Sequence, residues 1–240
     1  MKRKAVIVGD GTIGDELWAR LTGSPDWDIS YVLTSKRRMT PHQSTGDTRA
    51  FTEVGFDSSD SDALKEILAP LAGGMLFLCI PTKDQGEAAF RYADIAIGAG
   101  MRVVTAEKGM AAWQFPRIRP YLGRIDLGAA VGGGNRFPYT MLARDLSQKR
   151  VLMHAVLNAT LNFIFSEVND GRSLEDAVDH ASKIGIAEPL KPGEVLNPIA
   201  LVNGELRDVA MKICALFNFA LADDEYIRPD VFGDVQIGED

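Results

Sequence analysis

The run KAVIVGDGTIGDELWARL sets Gly9, Gly11 and Gly14 directly between an apolar stretch, Ala5 to Val8, and a helical pattern. A glycine-rich turn from strand to helix is a cradle for a dinucleotide. The first glycine permits the tight turn, the second lets backbone approach a pyrophosphate, and the third lets the helix pack on the strand. The helix N-terminus then offers N–H groups and a partial positive charge. The turn formed by Gly9, Gly11, Thr12, Ile13 and Gly14 is therefore expected to bind a nucleotide cofactor, because strand and helix flank it as the motif requires.

Downstream the chain alternates. A helix to about Leu21 is followed by a strand over 28–33, a polar loop over 35–47, a helix over 62–71, a strand over 75–80, a helix over 85–99 and a strand over 102–105. This rhythm implies an α/β fold with an N-terminal Rossmann, doubly wound parallel sheet, whose ligand crevice lies outside the carboxyl ends of the strands. Near Asp126 the pattern changes to AAVGGGNRFPYT, and the glycines Gly132 to Gly134 mark a boundary. The expected division is a dinucleotide-binding domain over 1–128 and a smaller α+β substrate-binding and dimerisation domain over 129–240. The second region reads as a strand over 151–157, helices over 161–168 and 174–184, a loop with Pro189, Pro192 and Pro198, and a long helix from about Leu206.

With 240 residues, 46% of them hydrophobic, the chain can build real cores. Its net charge of −7 argues against nucleic acid as a partner. No stretch approaches the ~18 apolar residues of a membrane helix. The basic start MKRK is followed by an apolar run cut at once by Gly9, Asp10 and Gly11, which is no signal peptide, so the expected location is the cytoplasm. Cys79 and Cys214 lie in apolar settings that suit buried, reduced thiols, and His42, His154 and His180 have no ligand spacing, so no metal is expected.

Cofactor choice is read after the second strand, where an acidic residue takes the ribose hydroxyls of NAD and basic residues take the 2′-phosphate of NADP. Here the segment is LTSKRR: Ser35, Lys36, Arg37 and Arg38 supply a hydroxyl and three cations, which points to NADP, with NAD as the alternative. Two lysines stand out. Lys108 follows the strand RVVT at the crevice end of the sheet. Lys212 is the one charged residue in VAMKICALFNFALA, with Asp208 one turn earlier, and an ion pair on so apolar a helix costs desolvation unless it is further satisfied, which points to a site.

Together these segments resemble the homoserine dehydrogenases, which interconvert aspartate 4-semialdehyde and homoserine with NAD(P). VVTAEKG resembles the family's VVTANKG, with Glu107 in place of its asparagine. AAVGGG resembles EATVGGG, AVLNATLNFIF resembles GILNGTTNYIL, GRSLEDAVDHASKIGIAEP resembles EGLSFEEALKEAQELGYAEP, and LRDVAMKI resembles the WDAARKL helix. The resemblance implies that Lys108 and Lys212 contact substrate and handle the proton at its oxygen, that Asp208 orients Lys212, and that Glu188 binds the substrate ammonium. Ala159 and Thr160 would line the same pocket, and Pro81 and Thr82 would border the nicotinamide. The implied partner is a small amino-acid substrate; a homodimer through the second region is expected from the residues themselves, because the strand over 151–157 and its amphipathic neighbours offer more apolar surface than so small a domain covers alone.

The chain departs from the family in three places. Gly128 stands where the family has an acidic residue associated with a monovalent cation. The segment between Glu188 and Asp208 lacks the usual pair of aspartates, leaving Glu194 or Glu205 to supply a contact. Typical members also continue well past this chain's last residue, so the sequence reads as a short form lacking the usual C-terminal part, either a minimal relative with a more open active site or a shortened piece of a longer protein. Two alternatives to homoserine chemistry follow: a related amino-acid dehydrogenase with another substrate, or a nucleotide-binding regulatory protein with reduced catalysis.

Overall fold

In a computed structural model the described residues are 2–41, 51–132, 156–187, 193–219, 221, 225–233 and 236–237. They fall in two compact units, Met1–Pro138 and Tyr139–Asp240.

The first unit is built on a seven-stranded sheet with the order β4-β3-β2-β1-β5-β6-β7. Strand β1 (Arg3–Val8) is buried over Ala5 to Val8 and pairs in parallel with β2 (Trp27–Leu33) on one side and β5 (Met75–Leu78) on the other. Strands β6 (Arg102–Thr105) and β7 (Ile125–Asp126) extend the parallel half. The chain leaves β1 toward β2, then crosses back to β5 on the far side of β1. That reversal is the switch point at which open α/β sheets bind ligands, and it lies beyond Val8 and Leu78.

Helix α1 (Thr12–Leu21) follows β1, α2 (Ser61–Leu68) precedes β5, and α3 (Glu87–Gly98) precedes β6. Asp60 opens α2 by accepting the amides of Asp62 and Ala63, and Leu64, Ile67 and Leu68 form its buried face. Burying three such side chains contributes about 1.5 to 3 kcal/mol each. Short helices α4 (Gly109–Trp113), α5 (Phe115–Ile118) and α6 (Gly128–Gly132) complete this unit's described helices, with Phe115 and Ile118 fully buried.

The structure adds a hairpin that the polar composition had hidden. Within the segment expected to be loop over 35–47, β3 (Arg37–Pro41) runs antiparallel to β2, and beyond that segment β4 (Phe51–Gly55) runs antiparallel to β3, so the sheet is mixed at this edge. Met39 anchors the hairpin in a cluster with Ile7 and Val32, and Phe51 packs there with its ring 4.8 Å from that of Trp18. Residues 42–47 of the expected loop lie outside the described set.

In the second unit, α7 (Ala159–Asn169), α8 (Leu174–Lys183) and α9 (Pro198–Asn218) share a core of Leu161, Ile164, Ala177, Val178, Ala181, Ala187 and Val202. Each helix has a side-chain cap: Asn158 accepts the amide of Leu161, Ser173 that of Asp176, and Asn197 that of Ala200. The long helix starts at Pro198, eight residues before the expected Leu206, because proline fits the first helical position behind an asparagine cap. Two buried asparagines on α9 clasp later backbone. Asn203 pairs with both the N–H and the C=O of Ile237, and Asn218 does the same with Ile227. Residues 151–155 of the expected strand, and Pro189 and Pro192 of the expected loop, lie outside the described residues.

Candidate functional site

The glycine turn has the shape a dinucleotide requires. Gly9 has φ +107°, and a Cβ there would lie 2.3 Å from the carbonyl oxygen of Cys79, so β1 and the end of β5 touch backbone to backbone. A Cβ on Gly14 would lie 2.1 Å from the carbonyl oxygen of Gly9, so α1 closes on the turn only because residue 14 has no side chain. At Gly11 a Cβ would meet nothing within 4 Å, which leaves that peptide open to a ligand. Helix α1 begins at Thr12 without a side-chain cap, unlike α2, α7, α8 and α9. Thr12 and Ile13 are exposed on its first turn, Ile13 at 57%. These residues fit a pyrophosphate.

The basic segment lies beside the turn. Ser35, Lys36 and Arg37 are exposed where β2 passes to β3, and Thr34 folds the corner by accepting the amides of Lys36 and Arg37. The Arg37 guanidinium bridges two carboxylates, Asp10 of the glycine turn at 3.1 Å and Glu53 of β4 at 3.4 Å. These groups line a cavity of about 180 Å³ with Gly9, Gly14, Asp15, Trp18, Val32, Met39 and Phe51. Arg38 lies over the ring of Tyr31. Sequence reasoning missed Asp10 and Glu53, because Glu53 becomes a neighbour only through the hairpin.

Pro81, Thr82 and Lys108 follow the ends of β5 and β6, where a second set of contacts holds Thr82. Pro81 is exposed and Thr82 half-buried after β5. Glu107, 2% exposed, accepts the Thr82 hydroxyl at 2.5 Å and the amides of Gly109 at 2.5 Å and Met110 at 2.9 Å. Lys108 sits in the chain between that carboxylate's residue and the amides it caps.

In the second unit the expected ion pair forms. Lys212 Nζ is 2.8 Å from Asp208 Oδ2, with both side chains about 15% exposed, and the same ammonium donates to the carbonyl of Leu157 at 2.8 Å. Asn158 donates its amide to Glu205 and, at 3.5 Å, to Asp208 while capping α7. Leu157 and Asn158 thus meet the face of α9 that carries Glu205, Asp208 and Lys212. Thr160, buried, donates to the carbonyl of Ile186 at 3.1 Å, and Ala159 is exposed at the start of α7. Glu188 lies outside the described residues. Asn158 was missed, although an asparagine immediately before a helix is a cap signal.

Fold and turn define a Rossmann-type dinucleotide-fold protein with a separate second unit. Residues 140–226 match the homoserine dehydrogenase family model. A curated homoserine dehydrogenase from Sulfurisphaera tokodaii is 31% identical over 150 residues, a match covering 60% of this chain and 46% of that protein. The fold is also that of a hyperthermophilic archaeal homoserine dehydrogenase solved in complex with NADPH, with TM-score 0.62 and 18% identity over 90% of this chain and 70% of that one. The homoserine dehydrogenase from Thermoplasma acidophilum gives TM-score 0.59 and 23% identity over 96% of this chain and 72% of that one. The chain is thus similar to homoserine dehydrogenases in sequence over part of its length and in fold, and it matches less than half the length of the curated protein.

Proposed function

We propose that this chain is an NADP-dependent, homoserine dehydrogenase-like oxidoreductase that interconverts aspartate 4-semialdehyde and homoserine in the cytoplasm. Residues 1–128 bind the nucleotide and residues 129–240 the amino acid. The observation that carries this reading is the Asp208–Lys212 pair, held on an apolar helix within the segment that matches the family. An ammonium shielded from water and fixed between a carboxylate and a carbonyl is a preorganised donor, where a solvated lysine would first have to be ordered.

The nicotinamide, when bound, supplies the two-electron chemistry of the reaction. The amides at the start of α1 hold the pyrophosphate, and Ser35, Lys36, Arg37 and Arg38 take the 2′-phosphate. Pro81 and Thr82 border the nicotinamide. The substrate ammonium needs an acid, supplied by Glu188, and Ala159 and Thr160 line its pocket. When the carbonyl carbon is reduced, its oxygen gains negative charge, and Lys212 stabilises that oxygen and gives it a proton, with Lys108 as the second cation. Asp208 holds Lys212 in place. In the opposite direction the lysine receives the proton from the homoserine hydroxyl.

The test is NADPH oxidation with a panel of amino-acid semialdehydes, and NADP reduction with homoserine. Turnover fastest with aspartate 4-semialdehyde supports the reading, and a faster rate with another semialdehyde moves the substrate assignment to that compound. NADPH binding without turnover of any of them replaces it with a nucleotide-binding regulatory role. We also propose a homodimer built through the second unit, whose Val156, Phe165, Ile184 and Ile186 are exposed apolar residues. Light scattering is expected to give about twice the 26.1 kDa chain mass, and a monomer at micromolar concentration refutes it.

A further inference from the structure

The loops after β5 and β6 interlock with almost no slack. A Cβ on Gly86 would lie 2.2 Å from the amide nitrogen of Met110, and one on Gly109 would lie 2.5 Å from Thr82 Cγ2. The β5 loop reaches this position through three successive left-handed residues, Asp84, Gln85 and Gly86, two of which carry side chains and are strained there. Such a conformation persists only if neighbouring contacts hold it. Gln114 fastens one end by donating to the carbonyl of Gln85, and the Thr82 hydroxyl on Glu107 fastens the other.

Glu107 is matched to this place. Three donors converge on it: one oxygen takes Thr82 and Gly109, and the other takes Met110. A carboxylate offers acceptors only, so no group of its own is left without a partner. The asparagine of the resembling VVTANKG motif is one carbon shorter and has a single acceptor oxygen. The backbone amide of Glu107 also donates to Thr105 Oγ1, so the backbone is fixed on both sides of Lys108.

We propose that Glu107 is a positioning residue that locks the β5 and β6 crevice loops into one unit and so sets Thr82 and Lys108. The assignment rests on the roles of Thr82 and Lys108 proposed above. Glu107 itself touches neither substrate nor nucleotide and acts through those two residues.

The test compares Glu107→Gln, which keeps shape and removes an acceptor, with Thr82→Val, which deletes the donor across the loop, and with the double variant. In the ligand-free protein Glu107→Gln is expected to accelerate amide exchange at Gly109 and Met110. Both single variants are expected to weaken NADPH binding several-fold and to lower kcat about tenfold with the KM for the amino-acid substrate unchanged, a fraction of the roughly hundredfold cost of a 1 Å misplacement. The double variant is expected to be no worse than the weaker single, because both break one link. Should Glu107→Gln fail to fold, Thr82→Val carries the test alone. A lowered Tm with parental kcat and NADPH affinity makes Glu107 a helix cap only and overturns the proposal. If the parent turns over no semialdehyde, the proposed function fails separately. Amide exchange and NADPH titration then decide on Glu107, and parental values in both variants overturn it.

Discussion

Lys212 carries the sharpest residue-level prediction. Lys212→Met keeps the side chain's length and suits a helix, so the fold and nucleotide affinity are expected to survive. Turnover is expected to fall ~10²- to 10³-fold, the usual loss for one preorganised donor. Single-turnover reduction of the semialdehyde checks this, and a parental rate makes the pair structural. Asp208 loses its nearest cation at the same time, a stability cost on the order of 1 to 3 kcal/mol, which adding Asp208→Asn is expected to recover without restoring rate. At Arg37 two effects compete. Its pairs with Asp10 and Glu53 are about half exposed, and exposed pairs contribute about 0.2 to 1 kcal/mol. A charge-assisted bond to phosphate contributes about 1.5 to 3 kcal/mol, so phosphate is expected to win the guanidinium, with the two carboxylates left as nearby like charges. Arg37→Ala is expected to weaken NADPH binding with little change for NADH, while Glu53→Gln strengthens NADPH binding several-fold. Calorimetric titration of both nucleotides decides it, and an unchanged preference in Arg37→Ala removes the 2′-phosphate role.

At the scale of elements, the β1–turn–α1 unit separates packing from binding. Gly14→Ala forces a Cβ to 2.1 Å from the Gly9 carbonyl and is expected to lower Tm and nucleotide affinity together. Gly11→Ala meets open space at an ordinary φ of −83°, so it is expected to leave Tm unchanged and lower nucleotide affinity alone. Thermal melts with and without NADPH separate the two, and unaltered NADPH stabilisation in Gly11→Ala argues against a ligand over that peptide. This unit was legible because its glycines and apolar run are local signals. Among the parallel strands, β1, β2, β5 and β6 were legible for the same reason, as short runs rich in apolar residues. The β3–β4 hairpin was not: Met39 is the one buried residue of β3, and an edge strand needs no apolar alternation. Strand β7 has two residues, too few to carry a pattern. The start of α9 was misplaced because Pro198 was read with Pro189 and Pro192 as loop, when Asn197–Pro198 is a cap and a first helical residue. The Asp208–Lys212 pair was legible from its four-residue spacing. The partners of Glu107 and Asn158 were not, since Thr82 and Glu205 lie 25 and 47 residues away and meet them only in the fold.

For the whole molecule, the two thiols set an alkaline limit. Burial pushes Cys79 from 9.0 up to about 11, and it pushes Cys214, with Asp230 adding to the shift, to about 12. The unfolded chain releases these protons above about pH 9 while the folded chain holds them. Stability is therefore expected to be flat below pH 9 in this respect and to fall as pH rises toward 11. Urea midpoints at about pH 8 and about pH 10.5 check the sign, and replacing both cysteines by alanine is expected to flatten the difference. No helix among the described residues is long and apolar enough to cross a membrane. The edge hairpin has a consequence for how such a protein diversifies. Arg37 and Glu53 stand at the rim of the sheet, outside its core, where substitutions typically change stability by about 0.5 kcal/mol or less. With the 2′-phosphate role proposed for Arg37, selection can exchange one nucleotide preference for another at these positions without eroding the fold, and neutral drift at this rim becomes a reservoir of altered cofactor economy.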